Sequence, residues 1–236
     1  MSGFAAAFGS PKARELERMM ELIRHRGPYL QGVWSDGSAA MGQNYLRADL
    51  FGPEPGGVPF SGPEGLRICY DGQIGNGSEL AREHGVVDGP RRDERLLLEL
   101  YRRYGAAMLH HLGDAIFCFA ISDGDRLLVA RDVLGIKTLF YGRKQGVLYF
   151  GSELKSVLAV ADEVYEFPAG HFLQQADDGR LRGGVHPGEG FVHHVDVGIL
   201  SQRPGEKYAL LLSAGELGDL PAGKSLDADL AEALHR

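Results

Sequence analysis

Cysteine is scarce. It occurs twice in 236 residues, at Cys69 and Cys118, too few for a disulfide framework. A reducing, cytoplasmic location is the expectation. No apolar run approaches the roughly 20 residues that a membrane helix requires, so no membrane span is expected. The first residues lack a basic stretch followed by an apolar core, so no secretory leader is expected. Positive charge is not in excess. Lys and Arg number 25 against 32 Asp and Glu, a formal net charge of -7. That disfavours a partner held by charge alone, whether nucleic acid or anionic lipid. No zinc-type spacing is present either. The pairs His110-His111 and His193-His194 are adjacent in sequence, with His186 nearby. Neighbours on a strand point to opposite faces and chelate poorly. Neither a metal nor a cofactor is expected.

Glycine is abundant, at 34 residues, about twice the average usage. Many tight turns between short strands follow. Hydrophobic residues at 44% and charged residues at 24% are ordinary for a globular protein.

Residues 2–8 are small and apolar and predict a buried strand at the start of the chain. Leu16, Met19, Met20 and Ile23 stand at helical spacing, and Gly27-Pro28 stops that helix. Strands are predicted over Gln31–Ser35 and Ala39–Leu46 about an Asp36-Gly37 turn. Residues 52–65 read as a loop, and Leu66–Tyr70 as a strand ending at Asp71-Gly72. Residues 91–104 read as a helix with an apolar stripe of Leu97, Leu100 and Tyr104. Arg91, Arg92 and Arg95 at its start read as a solvated face, with an anionic partner as the alternative. A shorter helix is predicted over Ala106–Leu112. The period then becomes two. Hairpins are predicted at Asp123-Gly124-Asp125, Lys144-Gln145-Gly146 and Asp177-Asp178-Gly179, with a short helix over Glu153–Val160. This order predicts an α+β fold with antiparallel sheets.

Several strings stand in one order. They are Leu22-Ile23-Arg24-His25-Arg26-Gly27-Pro28, Asp71-Gly72-Gln73-Ile74-Gly75-Asn76 and Phe117-Cys118-Phe119-Ala120-Ile121-Ser122-Asp123. Arg131-Asp132-Val133-Leu134-Gly135-Ile136-Lys137, Gly151-Ser152-Glu153-Leu154-Lys155 and Glu166-Phe167-Pro168-Ala169-Gly170 follow. The set resembles the N-terminal glutaminase domain of the asparagine synthetase family, a class II glutamine amidotransferase. It covers roughly residues 1–182. The resemblance implies the four-layer αββα sandwich of N-terminal-nucleophile (Ntn) hydrolases, with two antiparallel sheets flanked by helices.

The resemblance also implies a set of working positions. In the family, removal of Met exposes a Cys whose thiolate attacks the glutamine amide, with its own α-amine as base. A free α-amine, with a pKa of about 7.7–8.0, suits that role. Here the position is Ser2, a weaker nucleophile. The family's oxyanion hole uses an Asn amide and the next Gly N–H. This chain has Asp71 and Gly72, followed by Gln73. The family's carboxylate-gripping Arg falls at Tyr45, with Arg47 two residues on. The Asp that binds the substrate amino group is kept as Asp93. Three of the four positions differ, each removing a separate function, which argues for a degenerate site.

Residues 183–236 are a glycine-rich extension ending in a short helix over Leu226–His235, a remnant of the linker to a synthetase domain. Tyr208–Leu212 followed by Ser213-Ala214-Gly215 resembles the first strand of that domain without its pyrophosphate loop. Gly218, Gly223, Lys224 and Ser225 match a P-loop formally, without the parallel αβ context such a loop needs.

Three functions compete. The first is a pseudo-enzyme serving as partner or structural subunit of a separate ATP-dependent, amide-forming ligase. The second is an Ntn amidohydrolase using Ser2 on an amide other than glutamine. The third is a sensor that binds a small amino acid or amide through Asp93 without turnover. A homodimer stays open.

Overall fold

The computed structural model describes residues 2–46, 56–176 and 181–185. Strand β1 (Gly3–Phe8) is buried along its whole length. Helix α1 (Ala13–Leu22) begins where the Glu15 carboxylate accepts the Lys12 backbone N–H. It buries Leu16, Met19 and Met20. A 3-10 turn over Arg24–Arg26 follows. Gly27 ends it, because a Cβ there would lie 2.3 Å from the Asn44 carbonyl oxygen. Strands β2 (Leu30–Ser35) and β3 (Ala39–Tyr45) make the expected hairpin. Strands β4 (Phe60–Ser61) and β5 (Arg67–Ile74) are next, then α2 (Gly77–Glu83) and α3 (Arg92–Tyr104). Strands β6 (Ala115–Ser122), β7 (Arg126–Arg131), β8 (Phe140–Lys144) and β9 (Val147–Gly151) form two hairpins. Helix α4 (Leu154–Leu158), β10 (Glu163–Glu166), β11 (His171–Ala176) and β12 (Leu181–Val185) complete the described chain.

The strands form two antiparallel sheets of six. One has the order β10-β8-β9-β1-β3-β2 and the other β12-β11-β7-β6-β5-β4. Alternation along each strand decides the layers. On β1, Phe4, Ala6 and Phe8 point between the sheets, where they meet Cys69, Cys118, Ala120 and Val129 of the second sheet. Ala5 and Ala7 point outward to Leu16 and Met19 of α1 and Val157 of α4. On the second sheet, Ile68, Tyr70, Phe117 and Phe119 point outward to Leu80 of α2 and to Leu96, Leu97 and Leu100 of α3. The result is helix, sheet, sheet, helix, with a core on both faces of each sheet. Each buried Phe or Leu contributes about 1.5–3 kcal/mol to that core.

Several details differ from the sequence reading. Strand β5 does not stop at Asp71-Gly72. It runs to Ile74 in unbroken register with β6, from Arg67 opposite Ser122 to Ile74 opposite Ala115. The segment expected as a helix over Ala106–Leu112 is a 3-10 helix, Gly105–His111. Tyr104 leaves the apolar stripe. It is exposed and stacks on His111, with centroids 4.6 Å apart. Arg47, the Asp177–Gly179 turn and most of the C-terminal extension, with the P-loop-like string, lie outside the described residues.

Candidate functional site

Ser2 stands immediately before β1, at the centre of its sheet, and is buried. Its Oγ accepts the Leu46 backbone N–H at 3.1 Å, and its carbonyl accepts Arg26 Nε at 3.0 Å. Arg26 comes from the 3-10 turn. The same guanidinium donates to Asp71 Oδ2 at 3.2 Å and to Glu153 Oε1 at 3.4 Å. Lys137 Nζ reaches the other oxygen of Asp71 at 3.1 Å. Asp71 is thus a buried carboxylate clasped by two cations, and its side chain is only 5% exposed.

The strings that carry the resemblance now have physical roles. Asp132 closes the loop after β7, accepting the Ile136 and Lys137 N–H groups at 3.0 and 3.1 Å. Arg131 reinforces the loop through the carbonyls of Gly135 and Lys137. This places Lys137 over Asp71. Ser152 anchors the site strand, since its Oγ accepts the Phe4 N–H at 2.9 Å. Glu153 then meets Arg26 and His25.

A cavity of about 390 Å³ opens beside Ser2. Tyr45, Asp71, Gly72 and Asp93, which lay far apart in sequence, all line it with Ser2. Gly72 admits no side chain, because a Cβ would sit 2.5 Å from the Ile116 carbonyl oxygen. Gln73 is exposed on β5 and is not among the lining residues. Asp93 sits in the first turn of α3. Its Oδ2 accepts the Tyr70 hydroxyl and the Ile74 N–H, both at 3.1 Å. Its Oδ1 accepts Arg92 Nε and Nη2 at 3.0 and 2.8 Å. Burial and the neighbouring Asp93 push the Tyr70 phenol well above its ordinary pKa, so it stays a proton donor.

Three contributors escaped the sequence reading. Arg26 and Lys137 lie within recognised strings, but only the fold shows that both converge on Asp71. Arg91, expected on a solvated face, is 6% exposed and lines the cavity. Both cysteines, Cys69 and Cys118, are buried. Among the described residues no cluster of His, Cys, Asp or Glu is arranged to hold a metal. No helix among them is long and apolar enough to cross a membrane.

Two antiparallel sheets between helices, with the chain's second residue buried beside a polar cavity, define a class II amidotransferase architecture. The family model described as glutamine amidotransferase domain matches residues 1–179, and the chain belongs to that family. Asparagine synthetase B [glutamine-hydrolyzing] of Escherichia coli is 33% identical over 181 residues, covering 74% of this chain and 31% of that protein. The probable asparagine synthetase [glutamine-hydrolyzing] of Schizosaccharomyces pombe is 35% identical over 176 residues, covering 69% and 29%. The chain therefore spans about a third of the length of these curated relatives. In structure it is similar to the glutamine phosphoribosylpyrophosphate amidotransferase of Bacillus subtilis. The TM-score is 0.66 at 18% identity, over 78% of this chain and 49% of that one. That likeness is one of fold.

Proposed function

We propose that this glutamine amidotransferase domain has lost glutaminase activity and serves as partner subunit of a separate ATP-dependent, asparagine-synthetase-like ligase. One observation carries the reading. The carboxylate of Asp71, at the position the resemblance gives to the oxyanion hole, is fixed by Arg26 at 3.2 Å and Lys137 at 3.1 Å. An oxyanion forming beside that negative charge is disfavoured. Removing one oxyanion donor alone typically costs about 10²–10³ in rate. The serine at the nucleophile position and the Arg92 pairing of Asp93 act in the same direction. The relatives' names join glutamine hydrolysis to asparagine synthesis in chains more than twice as long. A separate subunit would supply what those longer chains contain, using an amine that this domain does not deliver.

The test is ammonia release from glutamine, followed with intact mass on protein freed of Met1. No ammonia and an unchanged mass are expected. Ammonia release, or an acyl adduct mapped to Ser2, would overturn the reading in favour of a serine Ntn amidohydrolase.

A further inference from the structure

A second cavity, of about 580 Å³, lies against α3 and shares no lining residue with the one beside Ser2. Small-molecule sites usually span about 300–1,000 Å³. Leu98 of α3, 1% exposed, lines it at depth. Phe60 of β4, with Val86 and Val87 from the segment after α2, adds further apolar surface.

The walls are held by the protein's own hydrogen bonds. The Gly62 N–H donates to the Leu66 carbonyl at 2.9 Å, and the Leu66 N–H to that of Pro63 at 3.0 Å. A Cβ at Gly62 would lie 2.4 Å from Leu98 Cδ1, so this turn packs directly on α3. The segment after α2 is fixed as well. The Val86 N–H donates to the Ala81 carbonyl at 2.7 Å. Arg95 donates to the Val87 carbonyl at 2.9 Å and to the Pro90 carbonyl. Val87 is nonetheless 77% exposed. Its backbone is tied down while its side chain stands in water beside an apolar hollow.

The charge of the lining is unbalanced. Two guanidiniums, Arg95 and Arg103, face one carboxylate, Glu99. Arg95 gives Nη1 and Nη2 to carbonyls, which do not neutralise it. Arg103 Nε meets Glu99, but that carboxylate also accepts two hydrogen bonds from Arg102, at 2.8 and 3.0 Å. Arg103 Nη2 holds the His84 carbonyl at 3.0 Å, and Nη1 makes no hydrogen bond among the described residues. The Arg103 side chain is 39% exposed, so a ligand can reach it. One excess positive charge and one spare donor nitrogen suit a single negative charge. The apolar lining suits an apolar body behind it.

We propose that this second cavity binds a small organic monoanion with an apolar body, its charged end at Arg103 and its body against Leu98, Phe60 and Val87. The site does not depend on the chemistry at Ser2.

The experiment is titration calorimetry on the full chain with three probes. 3-Phenylpropionate has the charge and the apolar body, 3-phenylpropionamide only the body, and acetate only the charge. The acid is expected to saturate with a Kd below about 1 mM, the amide to bind at least about fivefold more weakly, and acetate not to saturate at concentrations on the order of 10 mM. Val87→Asp and Val87→Lys remove the same apolar side chain from an exposed position and differ in charge. The acid should bind the Lys variant at least about tenfold more tightly than the Asp variant. Leu134→Asp, at a position 76% exposed and outside the lining, should leave its affinity within about twofold. Arg103→Gln should bring the acid-to-amide ratio close to one. No saturation by the acid, equal binding of acid and amide, or equal affinity in the two Val87 variants would each overturn the proposal. So would a loss in Leu134→Asp as large as that in Val87→Asp. Should a Val87 variant not fold, the acid-to-amide ratio in wild type and in Arg103→Gln decides, and an unchanged ratio rejects the site.

Discussion

Arg26 and Asp71 face each other at 3.2 Å, and the same guanidinium holds the Ser2 carbonyl at 3.0 Å. Ser2, beside one sheet, is thereby tied to Asp71 of the other. Charge that would oppose an acyl-transfer transition state is the charge that secures the N-terminal strand. Under the proposed loss of glutaminase activity, the interaction that removes the function is also one that holds the scaffold.

Removing the carboxylate should therefore destabilise the fold. Asp71→Ala leaves Arg26 and Lys137, each with a side chain 11% exposed, without their common partner. Breaking such a buried pair typically costs about 3–5 kcal/mol. Denaturant unfolding should show a loss of about 3 kcal/mol, and a smaller one for Asp71→Asn, which keeps the shape. A loss under about 1 kcal/mol would mean the pairs are solvated like surface pairs.

Restoring the nucleophile alone should not restore glutaminase activity. Ser2→Cys supplies a better nucleophile beside an unchanged Asp71. Ser2→Cys combined with Asp71→Asn replaces the carboxylate with an amide donor. Ammonia release by the double variant should exceed that of Ser2→Cys by about 10². Equal rates would show that the Asp71 carboxylate does not oppose the reaction.

Neither thiol should react in the native protein. Cys69 and Cys118 are buried, and desolvation pushes both thiols far above their ordinary pKa. A chromogenic disulfide reagent at pH 8 should titrate none in the folded chain and two per chain in guanidinium. Labelling of one thiol in the native state would reveal a local opening between the sheets.

Glu99 links stability to acid. Hydrogen bonds from Arg102 at 2.8 and 3.0 Å, with Arg103, lower its pKa from 4.5 to about 2. A carboxyl with a depressed folded pKa adds stability above its unfolded pKa and loses it as pH falls through the folded one. The stability gap between wild type and Glu99→Gln should be full at pH 5 and shrink between pH 4.5 and about 2. Urea midpoints across that range measure it. A gap independent of pH would show that the arginines do not hold the carboxylate.

Hairpins carried their own signals in the sequence. Asp36-Gly37 and Asp123-Gly124-Asp125 sit between alternating runs, and both became turns. Leu16, Met19, Met20 and Ile23 announced the helix by spacing, and all four are buried. Asp71-Gly72 looked like another turn and was not. Eight consecutive pairings with β6 outweigh the local preference of two residues. Helix α2 escaped notice because its fully buried side chains are only Leu80 and Ala81. Strand β10 was missed because it is a four-residue edge strand, exposed at both ends. The resemblance named Ser2, Tyr45, Asp71, Gly72 and Asp93, and all of them line the cavity. Arg91 was not legible, since a run of arginines at a helix start gives no sign of which one turns inward.

Strand β1 has partners on both sides, β3 from Gly3 to Phe8 and β9 from Ala5 to Phe8. Without residues 2–8 its sheet would fall into two separate ribbons, β3-β2 and β10-β8-β9. The slot between them is lined by paired backbone groups and by pockets sized for Phe4 and Phe8. A synthetic peptide of residues 2–8 is thus a natural candidate for fragment complementation, and unnatural nucleophiles could be carried into the site on it without genetic encoding.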